Sequence, residues 1–171
     1  MTFSKGETVV YGGSGVCEID DIKDVRFYHE RPQKYYILKP LFVNQAQVVY
    51  VPYNNEKLTA KIKPVISKKE ALELIRGIND NDVEWIEDRN ERKETYNNLI
   101  ASGDRKNIVD VITTITERRK QLEEEGKSLN QQDERILTDA ERRMTAEFAV
   151  ALGMDPADIP GFIEKETAKA V

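Results

Sequence analysis

The hydrophobic pattern of this chain changes period once, close to Lys63-Pro64, and that break limits the fold more than any other feature. Before it, residues 7–11 (ETVVY), 16–22 (VCEIDDI), 34–39 (KYYILK) and 47–52 (QVVYVP) are β-branched and aromatic runs of strand length. GGSG at 12–15, Arg31-Pro32 and Pro52 supply the turns between them. Strands this short are not stable singly, so they are expected to close on one another as a small barrel-like sheet.

Beyond the break the spacing is helical. Ser67 and Glu70 stand at capping-box separation before a short helix over 68–77, and Gly77 with the polar run INDND interrupts it. From Asp82 the pattern predicts helix to about Ala101, with Ser102-Gly103 as a stop and Asp104 as the next N-cap. Ile108, Val111, Ile112, Ile115 and Leu122 then recur at helical spacing as far as Gly126. A further helix carries Ile136, Ala140, Met144, Phe148 and Leu152 on one face and ends at Gly153, and a short last one runs from Pro156 to about Lys169. The expectation is an α+β chain of two parts, 1–64 β-rich and 65–171 helical.

Composition narrows the function classes. No apolar run approaches the roughly 18–20 residues that span a bilayer, and the first residues lack the basic start and apolar stretch of a secretory signal, so a cytoplasmic protein without membrane contact is expected. One cysteine, Cys17, allows no internal disulfide, and with one histidine, His29, no Cys/His zinc cage can form; no metal is expected. Cys17 reads as a small core residue of a strand, and His29 lies in a charged loop without a nucleophile beside it. GGSG runs into another strand instead of a helix and has no Lys-Ser/Thr pair, so it is not a phosphate loop. The many carboxylates fit solvated helix faces. No catalytic group, cofactor or small-molecule substrate is implied, which leaves a binding protein.

The net charge of −5 is unevenly spread: through Ser67 there are nine basic and seven acidic residues, and after it 17 basic and 24 acidic. An acidic helical half repels a polyphosphate at long range, so any DNA contact has to be local and positioned.

Trp85, the only tryptophan, sits in such a place. From Asp80 to Glu94 there are seven acids and three bases, and the only large apolar neighbours are Val83 and Ile86. On a continuous helix Arg89 and Arg92 would share its face, with Lys93 beside them. An aromatic flanked by guanidinium groups can wedge between bases while the arginines hold phosphates. Equally, Trp85 can pack back onto the β-module or the short helix at a domain hinge. The residues alone leave both open.

The order of motifs resembles the CarD family of bacterial transcription regulators. GETVVYGGSGVCEI, the pair KYYILKPL and VVYVP, and the PVISKKEALELI entry are similar to that family's N-terminal module; WIEDRNERKETYNNLIASGDRKNIVDVI and LNQQDERILTDAERRMTAEFAVALGM are similar to its helical half. The likeness runs from residue 1 to about 155. It implies a Tudor-like β-barrel module that binds the β subunit of RNA polymerase, followed by an all-α domain that touches promoter DNA. In that family a tryptophan at the place of Trp85 wedges into the minor groove at the upstream edge of the bubble and helps the open complex persist. The resemblance therefore nominates Trp85, Arg89, Arg92 and Lys93 for DNA, and Arg26, Tyr50 and Val48 for the polymerase. Two departures stand out: Glu87 and Asp88 occupy places where basic residues follow the tryptophan, and Tyr50 replaces a basic residue of the last strand. A binding alternative keeps the polymerase contact and has the acidic helical half engage another protein.

Overall fold

A computed structural model describes residues 2–45 and 47–169. The chain divides into two compact units, 1–66 and 67–171.

The first unit is an antiparallel sheet in the order β4-β3-β2-β1-β5, built from β1 (Thr8–Tyr11), β2 (Gly15–Val25), β3 (Gln33–Pro40), β4 (Val49–Pro52) and β5 (Ile62–Pro64). Gly12 and Gly15 have φ of 41° and 67° in the 3-10 turn between β1 and β2, which is the backbone freedom the GGSG run was expected to supply. A bulge between Ile19 and Asp21 absorbs one extra residue on β2, and beyond it the strand goes on pairing with β3 to Val25, three residues past the expected end. The sheet buries Val9, Cys17, Ile19, Tyr36, Leu38, Val51 and Ile62 on one face with Phe3. Cys17 is fully buried there, and burial pushes its thiol up to about 11. The structure adds two elements to the expected set: the helical turn α1 (Glu56–Thr59), capped by Asn55, and β5, which pairs with β1.

The second unit is helical: α2 (Lys68–Arg76), α3 (Arg89–Ala101), α4 (Arg105–Glu124), α5 (Gln131–Leu152) and α6 (Ile159–Lys169). The Ser67/Glu70 capping box is present with both of its hydrogen bonds. Asp104 caps α4, and Gly153 takes the left-handed conformation that ends α5. Ile108, Val111 and Ile115 of α4, Ile136, Ala140, Met144 and Phe148 of α5, and Tyr96 and Ile100 of α3 are buried, so the helical stripes face the core as their spacing implied. Arg105 and Glu147 form a largely buried ion pair at 3.0 Å between α4 and α5.

One expectation fails. Residues 82–88 are not helical; α3 starts at Arg89, with Asp88 as its N-cap accepting from the Glu91 amide at 2.8 Å. Trp85 therefore lies on a connecting segment and shares no helical face with Arg89 and Arg92. The cause is tertiary, because side chains from α3 and α4 take up the hydrogen-bonding groups of this segment.

Candidate functional site

The segment from Asp80 to Glu87 is tied down along its length. Lys106 of α4 donates to the Asp80 carbonyl at 2.7 Å, to the Asp82 carboxylate at 3.3 Å and to both oxygens of Asp110 at 2.8 and 2.7 Å. Partial burial opposes the charge of Lys106, yet these hydrogen bonds to Asp110 and Asp82 raise its pKa above the usual lysine value. Buried Asp110 also accepts from the Asp82 amide at 3.4 Å. Thr114, one turn further along α4, donates to the Val83 carbonyl at 2.8 Å and accepts from the Asn81 amide group at the same distance. Asn81 in turn accepts from the Val83 amide at 2.9 Å.

Helix α3 holds the other end. Tyr96, fully buried, donates its hydroxyl to the Glu84 carbonyl at 2.7 Å and accepts from the Ile86 amide at 3.3 Å. Burial pushes the phenol pKa up, so it stays a donor throughout the neutral range. Arg92 donates through Nη1 to the carbonyls of Ile86 and Glu87 at 2.8 and 3.1 Å, and through Nε and Nη2 to the two oxygens of Asp133 at 2.9 and 2.8 Å. Asp133 is itself fixed at the start of α5, where its amide donates to the N-cap Asn130.

Between these clamps stands Trp85, partly buried. Its ring has the Arg92 guanidinium carbon 4.2 Å from its centroid, the Arg118 carbon at 5.4 Å and the Tyr96 ring edge-on at 6.4 Å. Stacking of a guanidinium on an indole face contributes on the order of 0.5–2 kcal/mol. The ring is thus pre-oriented while part of it remains accessible. It packs on side chains of α3 and α4.

The four nominated residues separate. Arg92 is only 4% exposed and all its nitrogens are engaged within the protein, which corrects the expectation that it lies on an outward face beside Trp85. Arg89 and Lys93 are exposed and line a cavity of about 370 Å³ between α3 and α5, together with Gln132, Arg135 and Asp139. There Arg89 and Gln132 exchange hydrogen bonds at 3.4 and 3.1 Å, and Asp139 is engaged by Arg142 and Arg143. Arg118, Tyr96, Thr114 and Asp133 were missed by sequence reasoning. Thr114 and Arg118 stand four apart on α4, a spacing that puts them on one face, but nothing local indicates that the face meets Trp85.

In the first unit, Tyr50 of the outer strand β4 is 43% exposed and Val48, just before it, is 42% exposed. Phe27 packs edge-on against both Tyr35 and Tyr50, at 5.4 and 5.1 Å, and Arg26 beside it is exposed. The three nominated residues thus lie at or near one apolar edge of the sheet. The β4 edge away from β3 has no strand paired to it among the described residues.

Among the described residues no group of three or more His, Cys, Asp or Glu side chains could hold a metal ion, and no helix is long and apolar enough to cross a membrane. A comparison with curated proteins finds no significant match. The family model described as "CarD-like/TRCF RID domain" matches residues 3–66, and the one described as "CarD, C-terminal domain" matches residues 73–164. The two matches fall one on the sheet unit and one on the helical unit, in that order, and the first gives the sheet its Tudor-like class. The chain belongs to the CarD family of RNA polymerase-interacting transcription factors.

Proposed function

We propose that the protein docks on the β subunit of RNA polymerase through the β4 edge and stabilises the promoter open complex by wedging Trp85 into the minor groove at the upstream edge of the bubble. The observation that carries this reading is the pinning of the Trp85 segment. Five of its backbone carbonyls, those of Asp80, Val83, Glu84, Ile86 and Glu87, accept hydrogen bonds from side chains of α3 and α4. An aromatic wedge works by occupying a partly unstacked step, and a ring already held in place loses little freedom when it does so. A stabilisation of about 1.4 kcal/mol shifts the opening equilibrium tenfold. Arg89 and Lys93, with Arg135 in the same groove, supply exposed cations for the phosphate backbone.

On the polymerase side, an open strand edge with exposed Val48 and Tyr50 suits recognition by strand addition, in which main-chain hydrogen bonds give affinity and flanking side chains give selectivity. Arg26 adds a charge at the rim. The whole action is binding, with no covalent step, and takes place where the polymerase works, in the cytoplasm.

Photocrosslinking tests the arrangement directly. A benzoylphenylalanine placed at position 85, in the complex with the cognate polymerase and promoter, is expected to crosslink to DNA at the upstream edge of the bubble. Crosslinks to protein alone would overturn the wedge and favour the adaptor reading, in which the acidic helical half engages another polypeptide.

A further inference from the structure

We propose that Arg118 is the phosphate-binding cation of the Trp85 site; this rests on the reading of Trp85 as a DNA-contacting residue. The sequence nominates Arg92 among the cations beside the tryptophan, but Arg92 is 4% exposed and each of its nitrogens already donates within the protein, Nε and Nη2 to Asp133 and Nη1 to two carbonyls. The second guanidinium on the ring belongs to Arg118, with its carbon 5.4 Å from the centroid.

Arg118 differs from Arg92 in every respect that matters for a ligand. Among the described residues it has no carboxylate within ion-pair distance. Among the described residues its one hydrogen bond runs from Nη1 to the Gln121 side chain at 3.3 Å, in an exposed setting, and its Nε, shielded from solvent, has no partner there. A guanidinium lying over an aromatic face keeps its in-plane N–H groups free at the edge, in the fork geometry that suits two phosphate oxygens.

Position strengthens the case. Arg118 follows Thr114 by one helical turn on α4, and Thr114 is the residue that fixes the Val83 carbonyl, so one helix face both holds the Trp85 segment and presents the cation. A base step opened against Trp85 brings its flanking phosphate to the rim of the ring, where Arg118 stands. This supplies at the site the positive charge that Glu87 and Asp88 deny it in the sequence.

The test is the salt dependence of the factor's own effect. Open-complex lifetime on a promoter is measured with and without the full-length protein at several salt concentrations, and the logarithm of their ratio is plotted against log salt, which removes the polymerase's own phosphate contacts. Losing one phosphate contact makes this slope shallower by about 1. Arg118→Gln is expected to show that change and Arg118→Lys to restore most of the slope, with the far-UV circular dichroism unchanged in both. If Arg118→Gln keeps the wild-type slope while Trp85→Ala abolishes the lifetime gain, the Arg118 assignment is wrong and the wedge stands. A shift of Trp85 emission in Arg118→Gln with the slope retained likewise reduces Arg118 to a packing residue. If Trp85→Ala also keeps the full lifetime gain, the wedge and the Arg118 assignment fall together.

Discussion

The guanidinium of Arg92 lies 4.2 Å from the ring centroid of Trp85 while gripping both oxygens of Asp133 at 2.9 and 2.8 Å, so a residue of α5 fixes the tryptophan through an intermediary on α3. The partners are 41 residues apart in sequence. This ion pair is buried on both sides, with side chains 5% and 2% exposed. The value of such a pair depends on both members being present.

Removing one member is therefore expected to be costly. Arg92→Ala should destabilise the helical unit by about 3–5 kcal/mol, because it leaves the Asp133 carboxylate buried without its partner. Urea denaturation measures the loss, and the native-state emission of Trp85 should shift to longer wavelength as the stacked cation disappears. A variant that kept wild-type stability would show that the pair does not hold the segment.

Glu141 on α5 should have the opposite sign. Burial raises its pKa, an effect that nearby Arg119 opposes and Glu134 reinforces. The carboxyl thus holds its proton more tightly folded than unfolded. Its contribution to stability is greatest below its ordinary value of 4.5 and declines as pH rises through the raised folded value. Glu141→Gln is expected to be more stable than wild type at pH 7, with the difference vanishing below pH ~4. Chemical denaturation across that range reads it directly; a difference independent of pH would contradict the assignment.

At the polymerase edge Arg26 is exposed and can be altered without touching the core, whereas Tyr50 also packs edge-on against Phe27 and Tyr35. Arg26→Glu and Tyr50→Ala should each weaken binding to a β-subunit fragment by roughly tenfold or more, the range of an interface residue worth about 1.4 kcal/mol or above. Thermal stability should change little for Arg26→Glu. Undiminished pulldown by both variants would move the interface elsewhere.

The elements legible from sequence were those specified locally. The Ser67/Glu70 box, the Asp104 cap and Gly153 are short-range signals, and each marks a real helix boundary. Strand β5 and helix α1 escaped because three or four residues carry no period; β5 exists only through its pairing with β1. The helix expected over 82–88 failed for the converse reason. The segment is rich in residues that accept a helix and contains no glycine or proline, yet Tyr96, Thr114 and Arg92 claim its carbonyls. The same tertiary contacts hide Arg92 and reveal Arg118, and neither outcome has a local signature. Trp85, Arg89 and Lys93 could be nominated from sequence and resemblance, while the scaffold that positions Trp85 could not.

The central claim is that Trp85 acts on promoter DNA, and the lifetime of the open complex tests it most directly. Purified cognate polymerase and promoter are assembled with wild-type protein or with Trp85→Ala, a competitor is added, and decay is followed. Wild-type protein is expected to lengthen the lifetime and Trp85→Ala to lose most of that gain, while still binding the β-subunit fragment. A Trp85→Ala protein that binds the polymerase and extends the lifetime as fully as wild type would contradict the account.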